Sequence, residues 1–276
     1  PDPVGLNVTR ARWIVFPLVL AAALRARFRP RWLALPVVAA ALAYNVVPYV
    51  QFVRGAMLSR GHAAAFWQPA LEFLDRHASA QFRVEVVPTA AHWEAYYLPR
   101  AGHPLARGWY RQLDARENAL LYEDDLTGPE YRKWLRARGV RYVLLPRIRL
   151  NQAGAASEAR LLRSGRSGLS EVGRTSDWRI YALPAATPLL TGAGQAAVTE
   201  LGHDTVAGWT TARGVYRLRV RHTPQWRVER GDVCVTPADH GAIVLHVERP
   251  GPFRLAVAEH AGAVLTAPFA RAEATC

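Results

Sequence analysis

Apolar and polar positions along this chain fall into three successive regimes. The first is dominated by Trp32 to Val53, WLALPVVAAALAYNVVPYVQFV, 22 consecutive residues without a charge. A helix rises ~1.5 Å per residue and needs ~20 residues to cross the hydrocarbon of a bilayer, so the run predicts a transmembrane helix over 32–53. Pro36 and Pro48 are tolerated in such a helix, and Trp32 and Tyr49 stand where amphipathic rings prefer the interface. A buried core helix is the alternative. Trp13 to Leu24, WIVFPLVLAAAL, is apolar for 12 residues and gives either a short span over 5–24 or an interfacial helix. Arg25, Arg27, Arg29 and Arg31 precede the long run, against Arg54 and Arg60 after it. The positive-inside bias then orients the chain with everything beyond about residue 55 extracytoplasmic, in an integral protein of the cell membrane.

The second regime, residues 56–188, mixes periods of 3.6 and 2. Phe66, Trp67, Ala70, Leu71 and Leu74 recur at helical spacing, whereas Phe82 to Val87 alternates apolar with charged residues up to Pro88, as a half-buried strand does. Pro129 opens a helix with Tyr131, Trp134, Leu135 and Arg138 on one face, Gly139 stops it, and Val140 to Leu145 follows as an apolar strand. Ser157 to Arg163 reads as a further short helix, and Leu169 to Val172 with Trp178 to Ala182 as a closing hairpin.

In the third regime, residues 189–276, short alternating runs recur at intervals of 8 to 12 residues: AAVTEL, TVAGWTT, VYRLRVRH, VCVTP, AIVLHV and PFRLAVA, separated by Gly, Pro and Asp. This pattern predicts an antiparallel β-sandwich. The fold class expected from the three regimes is therefore a membrane-anchored α+β protein. It comprises membrane segments over 1–55, a small extracytoplasmic α/β domain over 56–188 and a β-sandwich over 189–276.

Composition modifies this picture in three ways. The net charge of +13 comes almost wholly from arginine, 34 residues against the single Lys133, scattered without a basic run outside the membrane flank. That excludes a nucleic-acid motif and favours anionic lipid or phosphate-bearing lipid-linked substrates as partners. Cys234 and Cys276 allow one disulfide in an oxidising space, and their spacing fits no metal site. The opening PDPVGLNVTRAR lacks Met and is no cleavable signal peptide, so the chain reads as the carboxyl end of a longer membrane protein.

The stretch between Pro88 and Thr127 has no clean period yet is dense in aromatic and polar groups. A loop this long inside a compact domain is uncommon and tends to be functional. His92, Trp93, Glu94, Arg111, Gln112 and Asp114 supply acid–base groups, hydrogen-bonding forks and a flat ring, the inventory of a sugar site. The bland readings are a hydrogen-bonded His92–Glu94 pair that fixes the loop and aromatic packing of a lid by Trp93, Trp109 and Tyr110. Trp226 in the third regime is either a stacking ring for sugar or a core residue. His92, Glu94, His103 and Asp114 would have to converge to hold a metal, and no His pair has ligand spacing, so neither metal nor cofactor is expected. No Gly-rich phosphate loop, GxSxG elbow or Cys–His nucleophile pattern occurs.

The segments YRKWLRARGVRYVLLP and SDWRIYALPAATPLL, followed by a terminal β-sandwich, resemble the carboxyl-terminal part of bacterial multi-pass membrane proteins of the GT-C-type glycosyltransferase-like and YfhO-like groups, of actinobacterial type. NVTRARWIVFPLVLA, HWEAYYLP and LARGWYRQLDARENALLY are similar to segments of the same group. The resemblance implies a cell-envelope protein that transfers sugar from a polyprenyl-phosphate donor to an extracytoplasmic acceptor. The catalytic carboxylate of such enzymes lies in an early outer loop outside this chain, so no residue here inherits that role. The expected task is to position polyprenyl-linked donor or glycan acceptor through the loop from His92 to Asp114. The alternative is a non-catalytic envelope protein whose outer domains bind glycan or a protein partner.

Overall fold

The computed structural model describes Ala22, Trp32 and residues 34–257. Helix α1 runs from Ala34 to Met57, covering most of the stretch read as a span and continuing past its end. No helix among the described residues is long and apolar enough to cross a membrane, which corrects the expected anchor over 32–53. The physical reason lies in equating absence of charge with apolarity. Only ten of the 22 residues are Leu, Val or Phe, and the others include five Ala, two Pro, Asn45 and Gln51. The short span expected over 5–24 lies outside the described residues, Ala22 apart.

Beyond α1 comes a three-layer unit. Helix α2, Ala64–His77, precedes strand β1, Arg83–Val86. Three helices follow, α3 over Glu94–Arg100, α4 over Arg111–Glu117 and α5 over Gly128–Arg138. Strand β2, Val140–Pro146, returns parallel to β1. Helix α6, Ala156–Arg163, and the antiparallel hairpin of β3, Ser170–Arg174, and β4, Trp178–Ala182, complete a sheet of order β1-β2-β4-β3.

Alternation along the strands assigns the two faces. Tyr142 and Leu144 of β2, with Val84, Val86, Trp178 and Ile180, bury against Phe66, Trp67, Ala70 and Leu74 of α2. Val143 and Leu145 turn the other way, against Tyr131, Trp134 and Leu135 of α5 and Ala159, Leu161 and Leu162 of α6, and Val140 at the strand's start joins that core. The sheet is thus covered on both sides. This corrects the half-buried reading of β1, because its charged position Glu85 points into the α5–α6 layer and is fully buried.

The expected helix at Pro129 is α5. Thr127 and Glu130 form a reciprocal capping box, and Gly139 caps the other end with φ 70°. Leu189 presses on Gly139, since a Cβ there would stand 2.8 Å from Leu189 Cδ2.

Eight strands then build two four-stranded antiparallel sheets. They are β5 Leu190–Gly192, β6 Ala196–Leu201, β7 Thr205–Thr210, β8 Gly214–Leu218, β9 Trp226–Arg230, β10 Val233–Pro237, β11 Ile243–Val247 and β12 Gly251–Val257. The sheet orders are β10-β11-β8-β5 and β6-β7-β12-β9. Tyr216, Leu218, Val235 and Leu245 of one sheet meet Val206, Trp226, Phe253 and Leu255 of the other in a single core. Gly208 pairs with Phe253 across β7 and β12, and a Cβ at Gly208 would meet the Phe253 ring at 2.9 Å. Cys234 on β10 is disulfide-bonded; the other cysteine of the sequence, Cys276, lies outside the described residues.

The two units are joined by named contacts. Arg83 Nη1 donates to Arg219 O at 2.7 Å and to Arg138 O at 3.1 Å, and Leu189 N donates to Gln81 O at 2.8 Å. Arg221 reaches Glu117 at 3.0 Å. The end of α5, the start of β1 and the continuation of β8 therefore face one another.

Candidate functional site

Strand alternation sends Glu85 beneath α5 and α6, where it meets a buried ionic cluster centred on Arg107. The Arg107 side chain is 3% exposed; its Nε donates to Glu85 Oε1 at 2.8 Å and its Nη2 to Glu158 Oε2 at 2.6 Å. Nη1 lies 3.5 Å from Asp114 Oδ2. Tyr131 OH donates to Glu158 Oε1 at 2.5 Å, while Tyr122 OH at 2.6 Å and Asn118 Nδ2 at 2.8 Å donate to Asp114. Trp134 Nε1 in turn donates to Asn118 Oδ1 at 3.1 Å.

Three carboxyl groups share one guanidinium here, and burial acts on the protonation of Glu85 and Glu158. Desolvation pushes the Glu85 pKa well above the ordinary carboxylate range despite the pull of Arg107, and Glu158 and Asp114 push it the same way. Glu158 is also raised by burial, against Arg107 and the Tyr131 hydroxyl. Burial alone would lower the Arg107 pKa, but the surrounding carboxylates outweigh it and hold the guanidinium protonated. Glu85 Oε2 is buried without a hydrogen-bond partner among the described residues. The cluster fastens β1, α4, α5 and α6 to the segment that carries Arg107.

That segment forms the edge of a cleft of about 1270 Å³ between the three-layer unit and the sandwich. Gly108, Trp109 and Tyr110 follow Arg107 directly, and Asp114 pins the far side of the turn. Trp109 is 61% exposed and Tyr110 52%, their rings edge-to-face at 6.2 Å. Eight lining residues are Arg or Lys, and three are Asp or Glu.

Each of the three cleft carboxylates is already bonded. Asp114 belongs to the Arg107 cluster, Glu117 accepts from Arg116 and Arg221, and Glu130 accepts from the Thr127 cap. Several cations, in contrast, make no ion pair with a described carboxylate. Arg83 donates only to carbonyls, Arg138 Nη2 donates to Glu117 O at 2.8 Å, and Arg219 Nη1 donates to Pro188 O and Thr191 Oγ1, both at 2.9 Å. Burial, with Arg138 adding to it, lowers the Arg83 pKa to about 10. Burial likewise lowers Arg138 and Arg219, the latter with a contribution from Arg217.

The residues singled out in the sequence do not converge. His92, with φ 55°, sets Nδ1 2.9 Å from Glu94 Oε1 and Nε2 3.0 Å from Asn151 Nδ2. Asn151 Oδ1 accepts from the amides of Ala153 and Gly154, so its Nδ2 is the donor; His92 Nε2 accepts and Nδ1–H faces Glu94. Glu94 Oε2 accepts from Thr89 Oγ1 at 2.6 Å. This is the loop-fixing pair. Trp93 Nε1 donates to Ala56 O and its ring packs on His62 and Tyr97, so it joins the loop to the end of α1.

Arg111 and Gln112 are exposed on α4 and do not line the cleft, although Gln112 accepts from Tyr110 OH at 2.6 Å. Asp114 lines it as a buried anchor. Trp226 is 5% exposed in the sandwich core and donates to Arg221 O, which removes it from any stacking role. His103 pairs with Asp75 at 2.8 Å, and no group of three metal-ligating residues occurs among the described residues.

Sequence reasoning did not connect Glu85, Arg107 and Glu158, and it gave Arg83, Arg138 and Arg219 no functional role. One signal was available: Arg217, Arg219 and Arg221 alternate in VYRLRVRH, which places three cations on one side of an extended segment. Comparison with known proteins gives no match to a family model, to a curated protein or to a solved structure.

Proposed function

We propose that this chain is the saccharide-positioning part of a glycosyltransferase-like protein of the cell envelope, and that the cleft between its two units receives donor or acceptor glycan. The carrying observation is the Trp109–Tyr110 pair. Large rings are costly to leave in water, yet both stand more than half exposed at the cleft edge, on a turn fastened at Arg107 and Asp114. Flat apolar faces beside a ring of hydrogen-bond donors suit sugars, which present both C–H faces and hydroxyls. The bonded state of the cleft carboxylates favours binding over acid–base work at this place. The resemblance of YRKWLRARGVRYVLLP and the neighbouring segments to glycosyltransferase-like proteins supports the envelope setting. The Cys234 disulfide is consistent with an oxidising, extracytoplasmic space.

The test is a titration of the protein with neutral and charged oligosaccharides, followed by tryptophan fluorescence and calorimetry. Trp109→Ala should weaken binding by about 1–2 kcal/mol, roughly 5- to 30-fold in Kd, with an unchanged melting temperature. Unaltered affinity in a Trp109→Ala/Tyr110→Ala double variant, or no binding of any oligosaccharide by folded protein, would overturn the reading.

A further inference from the structure

We infer that the ligand of this cleft carries a fixed negative charge, a phosphate or carboxylate borne on a saccharide, and that Arg138 and Arg219, with Lys133 and Arg217 at the rim, receive it. The inference rests on the saccharide reading above and narrows it to one chemical class.

The first argument is an inequality of pairing. A guanidinium carries five N–H donors. Arg107 directs its donors to three carboxylates, whereas Arg138 and Arg219 make one and two hydrogen bonds respectively, and only one of the three acceptors is a side chain. Their remaining donors have no protein acceptor among the described residues, and no carboxylate lies within ion-pair distance of either. Arg217 spends one donor on Asp239 O, and Lys133 is exposed with no hydrogen-bond or ion-pair partner among the described residues.

Placement supplies the second argument. Arg83 feels the charge of Arg138, Arg138 that of Arg221, and Arg219 that of Arg217; like charges so placed and partly out of water repel and are poorly solvated, and an anion among them relieves both costs at once. That the Arg83, Arg138 and Arg219 pKa values are all depressed by burial is the same cost seen in the proton equilibrium. Arginine favours planar, forked acceptors, which phosphate and carboxylate offer and a neutral hydroxyl does not. A cleft of about 1270 Å³ is matched to a ligand of a few rings, and the exposed Trp109 and Tyr110 share its edge.

The experiment is calorimetry on the whole chain with four probes: a neutral oligosaccharide, the same oligosaccharide bearing one phosphate, inorganic phosphate, and a single-stranded oligonucleotide. The phosphorylated sugar should bind at least tenfold more tightly than the neutral one, and the advantage should shrink as salt is raised. Arg219→Gln should remove that advantage, weakening the phosphorylated sugar at least fivefold more than the neutral one. Should Arg219→Gln fail to fold, Lys133→Gln/Arg217→Gln, which alters only rim positions, should reduce the advantage severalfold.

Equal affinity for neutral and phosphorylated sugar would overturn the inference and leave the saccharide reading intact. Binding of phosphate alone, with neither sugar bound, would overturn both. Tighter binding of the oligonucleotide than of the phosphorylated sugar would also overturn the inference, in favour of a nucleic-acid surface.

Discussion

Replacing Arg107 by Leu should destabilise the protein strongly at neutral pH and much less in acid. The substitution keeps bulk under α5 and α6 but removes the only cation within reach of Glu85, Glu158 and Asp114 among the described residues. Deleting one partner of a buried ion pair typically costs about 3–5 kcal/mol, because the charge left behind is uncompensated. A second route to the magnitude agrees. Once Arg107 is gone, a stranded carboxylate must be protonated to stay buried. For a group of ordinary pKa 4.5 that costs about 1.4 kcal/mol per pH unit, hence roughly 3.4 kcal/mol at pH 7 and roughly 0.7 at pH 5 for each proton. At about 2–4 °C per kcal/mol, the melting temperature at pH 7 should fall by roughly 6–20 °C. The assay is circular-dichroism melting and urea unfolding of both proteins from pH 5 to 8. The same variant should loosen the Trp109–Tyr110 turn and weaken saccharide binding under conditions where the protein is still folded. A loss below about 1 kcal/mol at pH 7, or a penalty that grows on acidification, would refute the ionic account of this cluster.

Two further outcomes follow from the same cluster. Glu85 has a raised folded-state pKa, so its contribution is fully present below pH 4.5 and is lost as pH rises through the folded value. Glu85→Gln cannot ionise, so its stability relative to the parent should improve steadily from pH 5 to 8 in paired urea titrations; parallel pH profiles would contradict this. Tyr122→Phe removes the hydroxyl donated to Asp114 at 2.6 Å, a bond that helps burial hold the phenol protonated. It should cost about 1–2 kcal/mol in chemical denaturation, since it strips a donor from a buried carboxylate; a neutral change would mean that Asp114 is satisfied without it.

Local signals survived folding where packing reinforced them, and failed where partners were distant in sequence. The Pro129 start and the Gly139 stop of α5 were readable because each acts within a few residues. Six of the sandwich strands were readable from alternation; β5 escaped by being three residues long, and β9, WRVER, because polar residues dominate it. The stretch over 88–127 looked functional for its aromatic content, yet its rings divide: Trp93 ties down α1, while Trp109 and Tyr110 face outward. Glu85 misled because a charge in an alternating strand normally marks the solvent face. Its partner Arg107 is 22 residues away, and Glu158 a further 51, spacings that no local pattern encodes. The run over 32–53 misled for the opposite reason, since a purely local criterion, absence of charge, stood in for apolarity.

The contrast between the buried Arg107 and the half-buried Arg138 and Arg219 separates what holds the fold from what waits for a ligand. Around Arg107 the acids outnumber the base, so the spare negative charge is removed by protonation and the set is closed upon itself. Around Arg138 and Arg219 the bases outnumber the acids, and an arginine cannot shed its proton near neutral pH to restore balance. Carbonyl dipoles hold these side chains in place without neutralising them. A folded chain lowers its free energy by pairing buried charges internally, and this one does so within the three-layer unit but not across the cleft. The imbalance lies where the two units meet, beside the exposed rings. An anionic ligand there completes an electrostatic arrangement that the chain's own carboxylates leave open.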